Sequence, residues 1–545
     1  MPRYELADPS EKFWEYVVLE ARLFTCYGAS DAKGKVAIKD FDCPAKARKD
    51  ANKRKKEKLA QGYKIVTEKR LKARAEKRNP ELEAVLFENP DDADGYAVYS
   101  DWLQTEGEPR GEIIALHNAV DANPEDKHLQ MHLARLMYAA RSLMFPPLLT
   151  KELDKARKGF APNEHCHATW ANGFIRSARI GGILDNGKAS AADIIEELLA
   201  HNSGRFLSEL RVATLGADKR NPYADVVKAL SENASQLRAL YLADVPDAEL
   251  ASVKLGDLAA LFDALPKLQT LHLGAASLGP SDIRPAALQS LSLSSPAISP
   301  DALKAVAKGP WPTLGNLRID FHHQDVDWSM LAPVFDALPK LRRLTLSRTK
   351  DTAVILKALC KSQCFETLSE LSLVDGDLED SALSSGILDR IAPLGSLNLD
   401  RHHLSDAMVE DLGTKVAGTV SAIHQRPKGA RAAMTEAHVQ ALTSPDNFKR
   451  GRALAKPAKW AALGKEPAED ILWGEFQGSD FYQAFVTFEG DEMDSACTCP
   501  SQFYPCKHIL GLLLMEAQQH TFPIAPPPTG LVENAENERY SSVFE

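Results

Sequence analysis

The sequence predicts a multidomain α/β chain: a small α+β domain, a helical module, a long α/β repeat array and a C-terminal hairpin-and-helix module. Three observations carry this prediction. Segments of the form LxxLxL begin at Leu207, Leu237, Leu268, Leu288, Leu314, Leu341, Leu368 and Leu394, spaced 30, 31, 20, 26, 27, 27 and 26 residues apart. The first 45 residues alternate apolar and polar with glycine punctuation, the period of half-buried antiparallel strands. Near the C-terminus, Cys497, Cys499, Cys506 and His508 form a C-x-C-x6-C-x-H pattern. At 545 residues the chain exceeds one ordinary core, and 44% hydrophobic with 26% charged residues describes a folded protein. It has no run of eighteen apolar residues, and the start MPRYELADPSEKFW has no apolar secretory core. Eight cysteines are too few for a disulfide scaffold. The expectation is a cytoplasmic protein with no membrane partner.

Phe13-Trp14, Tyr16-Val17-Val18, Arg22 to Tyr27 and Val36 to Phe41 read as strands, with a glycine-bounded loop from Gly28 to Gly34. A helix with a basic face follows from Pro44 to Lys58. Strands then helix, with FWE early and a YG-loop-GK centre, resemble a WGR domain over about residues 3 to 66. Those modules occur in poly(ADP-ribose) polymerases and in many bacterial multidomain proteins. The family's Trp-Gly-Arg falls on Tyr27-Gly28-Ala29, so the arginine is missing. The resemblance implies a DNA-end contact in which the aromatic stacks on a sugar; Tyr27 is either that flat face or an ordinary sheet aromatic. The stretch from Gly28 to Lys35 is one residue too long for a P-loop and lacks the Ser/Thr that would hold magnesium.

The formal net charge of -10 hides a basic run. Between Lys46 and Arg78 fifteen Lys/Arg stand against four Asp/Glu, a local balance of +11. This run is either a solvated helix face or a phosphate-contacting one, with Lys53, Arg54, Lys55, Lys56 and Lys58 as the candidate contacts. Beyond it, Asn89-Pro90-Asp91-Asp92, Tyr99-x-Asp101-Trp102-Leu103 and Gly107-x-Pro109-Arg110-Gly111-Glu112 resemble the short helical module that accompanies repeats in bacterial proteins. Trp102 and Leu103 are expected on the buried face, and Asp101 and Glu112 are expected to pair with Arg110. Another helix is expected from Leu129 to Met144.

The LxxLxL array, with Asp-Ala-Leu-Pro-Lys-Leu at 263–268 and again at 336–341, resembles leucine-rich repeats of the longer type, in which each strand returns through a helix. Trp170 to Ile180 reads as the first strand and Val420 to Ile423 as the last. The second and third Leu of each segment point inward, so Ala239/Tyr241, Thr270/His272, Ser290/Ser292, Asn316/Arg318, Arg343/Thr345, Glu370/Ser372 and Ser396/Asn398 face out. That face suits a broad protein contact, with Tyr241, Arg318 and Arg343 as the anchors. His322-His323 and His402-His403 are expected as solvated loop histidines, and Cys360 and Cys364 as buried thiols.

Three cysteines and one histidine make a full tetrahedral donor set for zinc, with no position left for a catalytic water. Phe481 to Phe488 and Ser495 to Cys497 read as a hairpin around Glu489-Gly490-Asp491, and Pro505 opens an apolar helix. With Gly451-Arg452, Lys456-Pro457 and Leu472-Trp473-Gly474-Glu475, this stretch resembles the SWIM zinc finger over about residues 445 to 516. One structural zinc ion is the implied cofactor.

The expected boundaries are a WGR-like domain at 1–70, a basic connector and helical module at 71–160, a leucine-rich-repeat-type solenoid at 161–428, a SWIM-type domain at 429–522 and a flexible tail at 523–545. The turn-forming run from Arg426 to Gly429 sets the third boundary. HExxH, GxSxG and dinucleotide fingerprints are absent from the sequence. The expected function is therefore a non-enzymatic interaction protein, with a protein partner on the array, DNA at the ends and no small-molecule substrate. The alternative is a pure protein scaffold. The alanine-rich composition and the module set suggest a bacterial source.

Overall fold

Alternation in the first 40 residues becomes strands Lys12–Leu19, Arg22–Ala29 and Lys35–Asp40, paired antiparallel in that order. Two further strands, Pro2–Leu6 and Lys64–Glu68, extend the sheet at one edge to five strands, and a helix at Pro44–Ala60 packs against it. In this computed structural model residues 2–528 are described, except 7–10, 31, 69–70, 73, 154–165, 183–188, 216–221, 234–235, 246, 280–287, 309–310, 325, 329–330, 424, 426–433, 467–469, 479, 490–491 and 502. The turn at Arg426 to Gly429 thus lies outside the described residues. The chain divides into two compact units, residues 1–350 with 354–372, and residues 351–353 with 373–545.

The first unit's N-terminal sheet is buried on both faces. Phe13, Val17, Phe24, Cys26 and Val36 pack with Met131 and Ala134 of the helix Lys127–Ala139. The helix Pro44–Ala60 starts at a proline in its first turn and buries only Ala47 and Ala51, one turn apart. Two methyl groups on that stripe leave the longer cationic side chains on the remaining faces.

Next come helices Pro80–Glu88, Ala93–Thr105 and Pro109–Ala122. Asn79 accepts from Leu82 N–H and Asp92 from Gly95 N–H, so the first two start on capping side chains. At Gly111 an added Cβ would lie 2.7 Å from the Ser100 carbonyl oxygen, so glycine there lets two helices touch. Leu103 is buried as expected, whereas Trp102 is half-buried.

Arg110 does not pair with Asp101 or Glu112. Its guanidinium is buried against both carboxylate oxygens of Glu76, the Gly173 carbonyl and the Ser203 hydroxyl. Asp101 is solvent-exposed and Glu112 lies 3.4 Å from His132. A buried guanidinium needs a desolvated anion in bidentate contact, which Glu76 supplies from the connector.

A hairpin, His167–Ala171 and Phe174–Ile180, turns through Asn172 and Gly173, both at positive φ. Strands Glu209–Val212, Ala239–Leu242, Thr270–Gly274, Ser290–Ser294, Asn316–Asp320 and Arg343–Ser347 then follow in chain order, each parallel to the last. Helices Ala191–Ala200, Pro222–Asn233, Ala259–Ala264, Pro300–Ala307 and Leu331–Asp336 return the chain between strands. The expected inward leucines are buried, as at Leu240, Leu242, Leu271 and Leu273. Outward residues align in rows: Tyr241 beside His272, His272 beside Ser292, Ser292 beside Arg318.

In the second unit, strands Ser396–Asn398 and Thr419–Ser421 pair in parallel, with helices Ser385–Ile391 and Asp406–Lys415 around them. His402 is not a solvated loop histidine: it is fully buried, accepting from Leu378 N–H and bonding the Leu373 carbonyl. In the first unit His322 is likewise enclosed, bonded to Ser294 and facing Arg348 and Asp320. Both follow the end of a strand; the His402 ring partners backbone groups left over there, whereas the His322 ring joins a side-chain network. Cys364 is buried and Cys360 half-buried. Among the described residues, no helix is long and apolar enough to cross a membrane.

Candidate metal centre

The last part of the second unit holds a four-stranded antiparallel sheet, Ala462–Glu466, Ile471–Gln477, Phe481–Glu489 and Glu492–Cys497. Ala484 faces Cys497 across the last pair, and the ladder runs one residue further: Thr498 N–H donates to the Gln483 carbonyl at 2.9 Å. Cys497 ends the strand, and Cys499 follows in a bend that brings its sulfur into the same cluster. Residues from 498 lead to Cys506, which caps the helix Lys507–Ala517 and places His508 in its first turn. Two buried-side anchors fix that approach. Tyr504 donates its hydroxyl to the Ser495 carbonyl at 3.0 Å, and Asn447 Nδ2 donates to the Pro505 carbonyl at 2.9 Å.

The helix is apolar all round, with His508 to Met515 buried. One face meets Leu472, Ala484, Val486 and Phe488 of the sheet. Another meets the helix Pro445–Arg452 at Gly451, where an added Cβ would lie 2.5 Å from the Leu510 Cβ. Close approach on both sides leaves the start of the helix, and the donors it carries, little room to shift.

The four donor atoms all lie within 4.8 Å of one another, with Cys497 Sγ 3.5 Å and Cys506 Sγ 4.0 Å from His508 Nδ1. A tetrahedral zinc at about 2.3 Å from sulfur and about 2.0 Å from nitrogen requires separations of about 3.5 to 3.8 Å, so the set fits with small adjustments. Backbone N–H groups supply the thiolate side: Cys499 toward Cys497, Ser501 toward Cys499, and His508 and Ile509 toward Cys506. The Cys497 thiol and the His508 ring hold Cys506 down to about 4, while that same hydrogen bond and burial push Cys497 up. A bound dication would hold all three cysteines as thiolates.

The His508 ring is walled by Phe476, Tyr482 and Trp460, with centroids 4.9, 5.2 and 6.3 Å away. Its Nε2 is buried and makes no hydrogen bond among the described residues, while Nδ1 faces the sulfurs. All four positions of a tetrahedron are filled by protein. The cluster thus fits one structural zinc ion, whose chemistry is to hold the hairpin end and the helix start together.

The other predicted contacts are placed as follows. Tyr27 is 42% exposed, opposite Trp14 and Lys35. Lys53 and Lys56 are exposed and Lys55 half-buried. Arg54 is bonded to Asp50 at 2.7 Å, and Lys58 donates to Gln61 and lies over the Tyr63 ring. Tyr241 lies under the Arg211 guanidinium, 3.7 Å from the ring centroid. Arg318 is exposed in the same row as Tyr241, and Arg343 is exposed beside Asn316, one row away. The row also contains Arg179 and Arg211, which sequence reasoning left out. The segment LSELRV carried the signal, since its outward positions are Glu209 and Arg211.

The family model of the SWIM zinc finger matches residues 482–517, a span that contains all four donors. A search of curated proteins finds no match. Among solved structures, the chain is similar to a Bacteroides fragilis protein, at 15% identity and a TM-score of 0.41, covering 78% of this chain and 97% of that one.

Proposed function

We propose that this chain is a non-enzymatic, zinc-containing interaction protein that joins nucleic acid to a protein partner. In this reading the N-terminal sheet is a WGR-like module, and the parallel array is a leucine-rich-repeat-type solenoid whose outward rows receive the protein. The SWIM-type module is the second nucleic-acid contact. Strand order and returning helices support the repeat assignment, and the filled coordination sphere supports a structural rather than catalytic metal. The observation that carries the nucleic-acid half is the run Lys53, Lys55 and Lys56, which has no carboxylate partner among the described residues. Unpaired lysines on one helix are what phosphate neutralisation requires.

The engagement of Arg54 and Lys58 within the module favours a second reading, a pure protein scaffold. Fluorescence anisotropy of the full chain against intact, nicked and recessed-end duplexes across a salt series separates the two. Binding is expected to weaken steeply with salt, and the K53E/K55E/K56E variant is expected to flatten the log–log salt slope by about 3. Absence of binding to every duplex at low salt leaves the scaffold.

A further inference from the structure

Phe503 and Tyr504 lie in the short loop between the second and third zinc ligands, and they are 52% and 65% exposed. Large aromatic rings are seldom left in water on a folded surface, and this pair is not idle in geometry. The Tyr504 hydroxyl is bonded to both the backbone carbonyl and the hydroxyl of Ser495, which anchors the far end of a side chain that is otherwise largely exposed. Phe503 N–H is bonded to the Ser501 hydroxyl. Cys499 and Cys506 bracket the two rings, so the zinc that joins those ligands also fixes the loop.

The surroundings are cationic. Arg450 projects over the Phe503 ring at 5.9 Å, and the exposed Lys507 follows the loop. From 444 to 465 six Lys/Arg stand against one Asp. Of these, Arg452 is paired with Glu436 and Lys465 with Asp470 and Glu516. Lys449, Arg450, Lys456 and Lys459 are exposed and have no carboxylate partner among the described residues. The module's acidic residues lie largely elsewhere, on the strands and the hairpin tip.

We propose that Phe503 and Tyr504 form a stacking platform for the bases of single-stranded nucleic acid, with Arg450 and Lys507 meeting its phosphates. Exposed aromatic rings beside unpaired cations are the two components that hold an unpaired strand without reading its sequence. An apolar protein partner would leave the four unpaired cations unanswered, and a duplex would hide the base faces that these rings could stack on. The proposal rests on the nucleic-acid half of the reading above, and it names the strand state and the residues.

The test is anisotropy of the full chain with a fluorescein-labelled 15-nucleotide oligo-dT, alongside zinc content and elution volume for each variant. Phe503→Ala/Tyr504→Ala is expected to weaken single-strand binding about tenfold or more, since each stacked base is worth about 1–3 kcal/mol. Zinc content should stay at the wild-type value. Tyr504→Phe, which keeps the ring and loses the hydroxyl, should retain most of the binding, and Arg450→Glu should weaken it. If the double variant binds like wild type while K53E/K55E/K56E abolishes binding, the platform is wrong and the functional reading survives. If wild-type chain binds no nucleic acid of any form, both fall. Loss of self-association in the double variant without loss of oligo-dT binding would assign the rings to a second copy of the chain and overturn the proposal.

Discussion

The N-terminal sheet and the C-terminal zinc module are both small sheets with helices, yet they hold together differently. The first buries aromatic and aliphatic side chains on both faces: Phe13, Val17 and Phe24 on one, Tyr4, Trp14 and Tyr63 on the other. The second has a good core around its helix, but the loop that carries its exposed rings is tied down at Cys499 and Cys506. A module closed by side chains tolerates the loss of any ion. A module closed by coordination loses the geometry of its loop when the ion leaves.

The largest difference should come from chelation. Stripping zinc is expected to abolish amide-exchange protection through residues 497–510 and leave strands Lys12–Leu19 and Arg22–Ala29 unchanged. Structural zinc sites contribute about 10–16 kcal/mol of apparent binding energy in small peptides, far more than a single side-chain contact. Equal loss of protection in both regions would show that the two modules are not closed by different means.

A second large effect belongs to Arg110. Arg110→Ala leaves buried Glu76 with the more distant Arg205, 3.5 Å away, in place of its bidentate partner, and removing one member of a buried pair costs up to about 3–5 kcal/mol. Urea denaturation of the full chain should show this on the transition of the first unit alone. Arg110→Ala with Glu76→Ala should recover part of the loss. A double variant no more stable than the single would show that the pair is not what the arginine supports.

A smaller effect depends on pH. Burial pushes His117 down to about 4, so it folds neutral and is protonated more readily when unfolded. Its contribution is complete above about pH 6.5 and is lost as pH falls from about 6.5 toward 4, a change on the order of 3 kcal/mol. His117→Gln should remove that part of the acid sensitivity from the first unit's melting curve. An unchanged slope between pH 6.5 and 4 would place the sensitivity elsewhere.

What was legible in the sequence follows the range of the interaction. The zinc donors were readable because two cysteines at spacing two mark a strand end and C-x-H fixes a helix start, all within twelve residues. Inward leucines and the outward pairs were readable because their period is two. The partner of Arg110 was not, since Glu76 lies in a connector whose composition suggested only charge. The burial of His402 was not legible either. Only the fold brings the Leu373 carbonyl and Leu378 N–H to its ring. Strand Pro2–Leu6 escaped because it alternates over only five residues, and Lys64–Glu68 because its two apolar residues, Ile65 and Val66, are adjacent. The tail expected from 523 begins as a bound segment: Lys465 N–H donates to the Pro523 carbonyl and Ala525 N–H to the Lys465 carbonyl.

One zinc ion closes the C-terminal module through Cys497, Cys499, Cys506 and His508. Metal analysis of purified full-length chain, beside Cys506→Ser, tests it most directly. Wild type should hold about one zinc per chain and the variant none, with loss of ordered structure confined to the second unit. Metal-free wild-type protein with residues 497–510 fully protected from exchange would contradict it.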